Sequence, residues 1–597
     1  MINERLQHCD LVMKGGITSG VVYPGAIKAL SEKYRFRSIG GASAGAIGAV
    51  VAAAAEYRRQ VTNGDHAGFE LIETIPKKIG PNLLSLFQPT DALRPLFNML
   101  LTVQKGLAEK RSKLALTRGA VWSLLKSYWY LALGAGLLTV MSVVLALDMG
   151  DLWLGVLGLL VSILVLVVGL LWALFSLITR TLPKNDFGIC SGKTAKGMGA
   201  PALTDWLADT IDKVAGFSPA DRPERLLTIG DLKEHCIEIA AITTDISSKR
   251  PYQLPFKTKI HYFSEAEFKT LFSERLMEYL LKHGKPHHSK SPNAPGDLYQ
   301  LPIGDDFPVF LVARMSLSFP GLMRTIPLYR YDDRFKGGDG KSKPHVLRRC
   351  LFSDGGISSN FPIHFFDELV PARPTFGISL GGWEEERHGN DKIVTPETSI
   401  TSSNLPVNDV TSLGGFVMAM FNTAKDWQDT LQTMLPGYAD RIVTVLLDDK
   451  TEGGFNLDMG PDKVTALSTR GAEAIGVLRN SFCIDQHRYD RALTLFVPLE
   501  ESLCAFSKLY NGPSPKWGMP YRDVLTTFET RNNAGNSQDW RENGLADFAD
   551  GLNKLGIRAA DPLGGKQWVG KGSDLPSADR RVRLIATADR IPESYGA

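Results

Sequence analysis

Ser43 stands at the centre of Gly41-Ala42-Ser43-Ala44-Gly45, a G-x-S-x-G pattern. The pattern suits a sharp strand-to-helix turn in which the serine takes a strained backbone, and small neighbours relieve the clash that side chains would cause there. The run that follows, AIGAVVAAAA, reads as a helix with its N-terminus aimed at Ser43. The partial positive charge of that end favours an alkoxide and an oxyanion beside it. These are the parts of a nucleophile for acyl transfer. The same pattern also arises in ordinary glycine-rich turns, so the reading depends on partners elsewhere in the chain.

Acyl transfer needs backbone N–H groups aimed at the developing oxyanion. Lys14-Gly15-Gly16-Ile17-Thr18-Ser19-Gly20 offers such a loop between a strand and a helix, with Gly15 and Gly16 as candidate donors. A phosphate cradle is the rival reading, but the spacing is not G-x-G-x-x-G and no acidic residue ends the next strand. Gly192-Lys193-Thr194 is not a P-loop either, because Phe187 stands where the first glycine belongs. The base candidate is Asp354, in Leu351-Phe352-Ser353-Asp354-Gly355-Gly356. It reads either as an ordinary turn carboxylate or as a carboxylate at a strand end, able to take the Ser43 proton if desolvation raises its pKa. His364, ten residues on in NFPIHFF, offers a Ser-Asp-His order; the alternative is that it packs in a helix behind the site. His283, His287 and His288 lie in a loop broken by Gly284 and Pro286 and support neither catalysis nor metal binding.

These residues require strands and helices in alternation. Asp10–Met13 and Phe36–Gly40 read as strands, and Tyr23–Tyr34 and Ala44–Arg59 as helices. Farther on, Cys236–Thr243, Pro308–Val312, Thr375–Leu380 and Arg441–Leu447 read as strands, and Ser412–Leu435 and Val464–Ser481 as helices. Alternation of this kind predicts an α/β layer fold. Residues 283–297 and 334–346 read as polar Gly/Pro-rich loops, and the last ~90 residues are irregular by pattern.

The loudest compositional feature is the stretch 121–179. Ser127–Leu147 gives 21 residues without a charge and Leu152–Thr179 gives 28 more, separated only by Asp148-Met149-Gly150-Asp151. Each run exceeds the ~18 apolar residues at which a membrane span is called, and the short link makes the two helices antiparallel. A buried hairpin in a large core is the bland alternative. Lys105, Lys110, Arg111, Lys113, Arg118 and Lys126 precede the first run, and Arg180, Lys184, Lys193 and Lys196 follow the second. Basic flanks and an acidic tip place both ends on the cytoplasmic side.

Composition excludes several classes. A net charge of +3 over 597 residues gives no reason to expect nucleic acid as a partner. The six cysteines are scattered without a C-x-x-C pair, which suggests neither a disulfide framework nor a zinc site. The N-terminal MINERLQHCDLVMKGG has no apolar core of a signal peptide, which fits a working domain in the cytosol.

Taken together, Gly15-Gly16-Ile17-Thr18-Ser19-Gly20, then Gly41-Ala42-Ser43-Ala44-Gly45, then Asp354-Gly355-Gly356 resemble the patatin-like phospholipase family. Val22–Ala26 and Ala313–Pro320 (ARMSLSFP) add to the likeness, which covers roughly residues 8–60 and 240–380. Ile17 stands where the family motif has its middle glycine, and Ser19 where a basic residue is common. The resemblance implies a three-layer α/β/α sandwich with a mostly parallel sheet, a Ser43–Asp354 dyad without histidine, and release of fatty acid from acyl-ester lipids with no metal or cofactor. Amides of Gly15, Gly16 and Ala44 would form the oxyanion hole. The domain expectation is a patatin-like domain split into residues 1–120 and 180–500 by a transmembrane hairpin at 121–179, with a C-terminal extension at 501–597. The protein would then be a two-span membrane protein whose catalytic domain faces the cytoplasm, acting on phospholipids or lysophospholipids. Rivals are a hydrolase or acyltransferase of neutral acylglycerols and a membrane scaffold that keeps the fold without the chemistry.

Overall fold

The computed structural model describes residues 6–560 with the exception of residues 17, 110, 219–223, 293, 333–345, 369, 395, 397–406, 408, 434–436, 449–450, 454–455, 513–517, 526 and 528–544. The chain runs β1 (Gln7–Met13), α1 (Tyr23–Ser31), β2 (Tyr34–Gly41), α2 (Ala44–Val61), α3 (Ala67–Ile79), α4 (Arg94–Ala108), α5 (Lys113–Ser127), α6 (Trp129–Met149) and α7 (Leu152–Ser176). It continues through β3 (Gly188–Cys190), β4 (Glu238–Asp245), α8 (Val309–Ser316), β5 (Gly321–Met323), β6 (Ile326–Asp332), β7 (Val346–Ser353), β8 (Thr375–Gly382) and α9 (Leu413–Thr433). β9 (Ile442–Leu447), α10 (Pro461–Ser481), α11 (Ile484–Tyr510) and α12 (Leu545–Ala560) follow, with shorter pieces between.

The strand period of two sends Cys9, Leu11 and Met13 of β1 into the main core and Val12 to the other face, where it meets Phe361, Ile363, Tyr438 and Ile442. Five strands in the order β9-β8-β1-β2-β4 run parallel. β7 joins β4 antiparallel and β6 joins β7 likewise, and the short strands beyond are antiparallel too. The sheet is therefore mixed. Its parallel part is confined to the middle, where helices supply the long crossovers that parallel neighbours need, whereas β6 and β7 are consecutive strands paired antiparallel. The α/β class stands, with a mixed sheet and helices packed on it.

Pro308–Val312, expected as a strand, belongs instead to α8, with Pro308 as its N-cap. A short apolar run such as FLVA carries no period that separates strand from helix. Within 283–297, Lys285–His287 forms a short strand paired with Leu298–Gln300. Most of the expected loop 334–346 lies outside the described residues, and Val346 already begins β7. Inside the stretch expected to be irregular, α12 packs back on α11 through Tyr510 Oη to Asp550 (2.6 Å) and Ser507 Oγ to Asn553 (2.9 Å). Residues 561–597 lie outside the described part.

The hairpin is present. Helices Trp129–Met149 and Leu152–Lys184 are long and apolar enough to cross a membrane. Gly150 closes the first with a left-handed φ of 69°, and the Asp151 side chain caps the second by accepting from Trp153 N. Small residues let the two helices approach: a Cβ on Gly158 would overlap Ser142, and one on Gly155 would lie 3.3 Å from Ala146. Outward-facing side chains such as Leu137, Leu147, Leu164 and Leu171 are more than half exposed, so these helices are not the buried pair of a large core.

Candidate active site

β2 ends at Gly41, and Ser43 follows at φ 52°, ψ −123° before α2 begins at Ala44. A positive φ at a non-glycine residue costs of order 1–3 kcal/mol and persists only where surroundings hold it. Here they do. The Ser43 amide donates to Ser316 Oγ at 3.0 Å, and the elbow is pressed onto the end of β1. A Cβ on Gly45 would overlap Met13 O and lie 2.8 Å from Lys14 O, and one on Gly41 would lie 2.5 Å from Gly45 O. Gly45→Ala should therefore push the elbow off β1, lowering ester hydrolysis by about 100-fold and stability by about 2 kcal/mol. Activity and thermal unfolding in detergent check this; wild-type activity in the variant would mean that the elbow has slack.

Asp354 reaches the same place from a distant part of the chain. Gly41 of β2 pairs with Ala241 of β4, and Ser353 at the end of β7 pairs with Thr244. Both residues thus converge at the carboxyl end of β4, the usual ligand edge of such sheets. Asp354 is held by its amide, which donates to Ser318 O (3.0 Å), and by its carbonyl, which accepts from Thr244 Oγ1 (2.9 Å). Ser43 is 2 % exposed and Asp354 3 %. Burial pushes the Asp354 carboxyl up to about 7, while the Ser43 hydroxyl, the Lys425 ammonium and the amides of Gly356 and Gly355 hold it down in part. Among the described residues, none donates a hydrogen bond to Asp354 Oδ1. The Ser43 hydroxyl donates to Gly16 O at 2.9 Å and yet stands near enough to the carboxyl to lower its pKa. Its proton has two acceptors at hand.

The glycine loop faces the nucleophile in an unexpected way. Gly16 O accepts from both Ser43 Oγ (2.9 Å) and Ala44 N (3.3 Å), so a carbonyl fills the place next to Ser43 where an oxyanion would need donors. The Gly15 amide points elsewhere, to Asn360 O at 2.6 Å. Gly15 fits there because it lacks a side chain: a Cβ would overlap Asn360 Oδ1. In this conformation, then, Gly15 ties the loop down and does not face Ser43. Ile17 lies outside the described residues.

The residues that hold Asn360 were not singled out from sequence. Asp429 on α9 accepts from Ser359 Oγ (2.9 Å), Asn360 N and Phe361 N (2.8 Å), and Asp426 accepts from Asn360 Nδ2 (3.0 Å). One helical face thus carries Lys425 to the Asp354 turn and Asp426 and Asp429 to the next one. Beneath, Arg314 is almost wholly buried and donates to Thr204 Oγ1 (3.1 Å), Ser318 Oγ (2.7 Å), Ser191 O (3.0 Å) and Arg324 O (3.0 Å). Burial pushes its pKa down to about 9. The spacing Arg314-x-Ser316-x-Ser318 was the available signal: three polar residues at alternate positions in an otherwise apolar run.

Among the described residues, no histidine joins the pair. His364 is exposed, in a 3-10 turn with its ring against Phe365, and not packed in a helix behind the site. His261 is buried among Tyr252, Phe256 and Phe352, where burial pushes its pKa down to about 3. Among the described residues, no three His, Cys, Asp or Glu side chains converge as a metal site would require.

An apolar cavity opens beside the elbow. It is partly open to solvent and is lined by Thr18, Ala44, Ile75, Leu86, Phe87 and Met323 among others. A serine on a strand-to-helix elbow, a buried carboxyl and an apolar cavity together are the equipment of an esterase for hydrophobic acyl groups.

The chain belongs to the patatin-like phospholipase family, whose members are lipid acyl hydrolases. The model of that family, patatin-like phospholipase, matches residues 11–143, which contain the glycine loop and Ser43 but end before Asp354. The RpoH suppressor of Rhizobium meliloti (strain 1021) is 33% identical over 571 residues, covering 82% of this chain and 85% of that protein. The crystal structure of VipD from Legionella pneumophila covers 92% of this chain and 85% of its own at 14% identity, with a TM-score of 0.25.

Proposed function

We propose that the chain is a membrane-anchored lipid acyl hydrolase of the phospholipase or lysophospholipase type, with Ser43 as nucleophile and Asp354 as base. The observation that carries this reading is the strained Ser43 beside a buried carboxyl poised near neutrality. Ser43 Oγ bonds to the acyl carbon while its proton passes to Asp354, and the carbonyl oxygen becomes an oxyanion. The amides of Gly16 and Ala44 receive it once Gly16 O has turned away, and Gly15 joins them only by releasing Asn360 O. The alcohol or lysolipid leaves with the proton. Water activated by Asp354 then clears the acyl group from Ser43.

The apolar cavity suits a long acyl chain. The scaffold would be the family's three-layer α/β/α sandwich, split into residues 1–120 and 180–500 by the hairpin at 121–179 and followed by an extension at 501–597. Basic flanks and an acidic tip support two spans with the catalytic domain on the cytoplasmic side. Hydrolysis of a phospholipid labelled in its acyl chain tests the dyad: Ser43→Ala and Asp354→Asn should each lose about 10³-fold or more, and full activity in either variant sinks it. Carbonate washing should leave the protein on membranes, and its release would remove the spans.

A further inference from the structure

The cavity beside Ser43 is lined in part by residues that adjoin the roots of the hairpin. Thr18 and Ala44 line it at the nucleophile; Phe87, Leu322 and Met323 also line it. Just after Phe87 the chain leaves for the hairpin. Pro89 bridges to Cys190, and Thr90 N donates to Ile189 O at 3.1 Å. Ile189 and Cys190 belong to β3, by which the chain returns from α7. β3 in turn pairs with β5, Gly188 with Gly321 and Cys190 with Met323, and Arg324 N donates to Cys190 O at 2.9 Å. The departing leg, the returning leg and the cavity wall are therefore neighbouring pieces of backbone.

The charges around these roots set their depth. Arg111, Lys113, Arg118, Lys126, Arg180 and Lys184 are exposed next to the apolar helices, where anionic head groups would hold them. A hairpin held at that depth would bring the cavity wall at Phe87 and Met323 toward the membrane surface. An acyl chain moving from bilayer to cavity there stays in apolar surroundings, whereas one arriving through water exposes every methylene.

Building on the acyl hydrolase reading above, we infer that the substrate is a long-chain lipid of the membrane that holds the hairpin, drawn acyl chain first past Phe87, β3 and β5 to Ser43. The enzyme acts on its own bilayer, in cis. The full chain, reconstituted in vesicles of phosphatidylcholine and phosphatidylglycerol, is given a long-chain phospholipid labelled in its acyl groups. The label sits either in the same vesicles or in protein-free vesicles of the same composition. A water-soluble butyrate ester is assayed in parallel. Fatty acid should appear about tenfold faster or more from the label held in cis, as expected when substrate and site share one surface, with butyrate cleaved in both settings. Equal rates from the two vesicle populations, with butyrate cleaved, overturn the route alone. Butyrate cleaved with no lipid cleaved in either setting overturns the substrate class. Loss of all three activities overturns the hydrolase reading and the route with it.

Discussion

Asp354→Asn should unfold at a higher temperature than the wild type above pH 7 while losing about 10³-fold in ester hydrolysis. The two effects have one cause. A carboxyl with a folded pKa of about 7 and an unfolded pKa of ~3.9 binds its proton more tightly in the native state. Its contribution is fully present below pH ~4 and is lost as the pH rises to about 7. Above that, the ionised group costs the fold on the order of 4 kcal/mol at ~1.4 kcal/mol per unit, and a buried amide returns part of it through its own desolvation. A net gain of about 1–3 kcal/mol at pH 8, shrinking toward pH 4, is the expected result in detergent-solubilised protein. An Asp354→Asn variant no more stable at pH 8 than at pH 4, relative to wild type, would remove the strained-base account.

On the proposed dyad, the same carboxyl sets the acid limb of activity. Only the ionised form accepts the Ser43 proton, so turnover of a soluble ester should rise through pH 7, near the value burial imposes. Lys425 holds that value down, so Lys425→Met should move the limb to higher pH. A limb that stays put would mean that the α9 ammonium is screened from the site.

How much of this is legible in the sequence depends on the reach of each interaction. The elbow is local: Gly41, Ser43 and Gly45 lie within one turn, and their spacing alone describes the strand-to-helix change. The hairpin is legible for the same reason, since length and composition decide it. Asp354 is different. Nothing near it separates a base from an ordinary Asp-Gly turn, because the distinction lies in burial against β4, far away in sequence. Gly15 marks a sharper limit. Its amide direction is decided by Asn360, and Asn360 is decided by Asp426 and Asp429 on α9, so a motif that reads as an oxyanion loop gives no clue to which way its first amide turns. α12 is illegible by pattern because polar pairs, Tyr510–Asp550 and Ser507–Asn553, stand among its contacts with α11, which thins the apolar stripe that marks a helix.

Arg314→Met should be the most destabilising single change beneath the site, by about 3 kcal/mol, and should abolish activity without touching substrate. A buried cation with no carboxylate beside it among the described residues survives because four of its five donors are engaged: Thr204 Oγ1, Ser318 Oγ, Ser191 O and Arg324 O each accept from it. Charged hydrogen bonds of this kind are worth ~1.5–3 kcal/mol each, and losing the donor leaves buried acceptors unpaired. The cost of burying the charge, visible in a pKa pushed down to about 9, is recovered in the variant and offsets part of the loss. Activity suffers for a further reason. Ser318 is fastened by Arg314 through its Oγ and holds Asp354 N through its carbonyl, while Ser316, two residues before, holds Ser43 N. One guanidinium therefore braces both members of the proposed dyad. Arg314→Lys keeps the charge but not the planar fork, so it should fall between wild type and Arg314→Met in both stability and kcat. Denaturant unfolding and soluble-ester kinetics on the purified variants measure the two effects. If Arg314→Met unfolds like the wild type, the brace is redundant; if Arg314→Lys matches the wild type in both readouts, charge and not the fork is what the site requires.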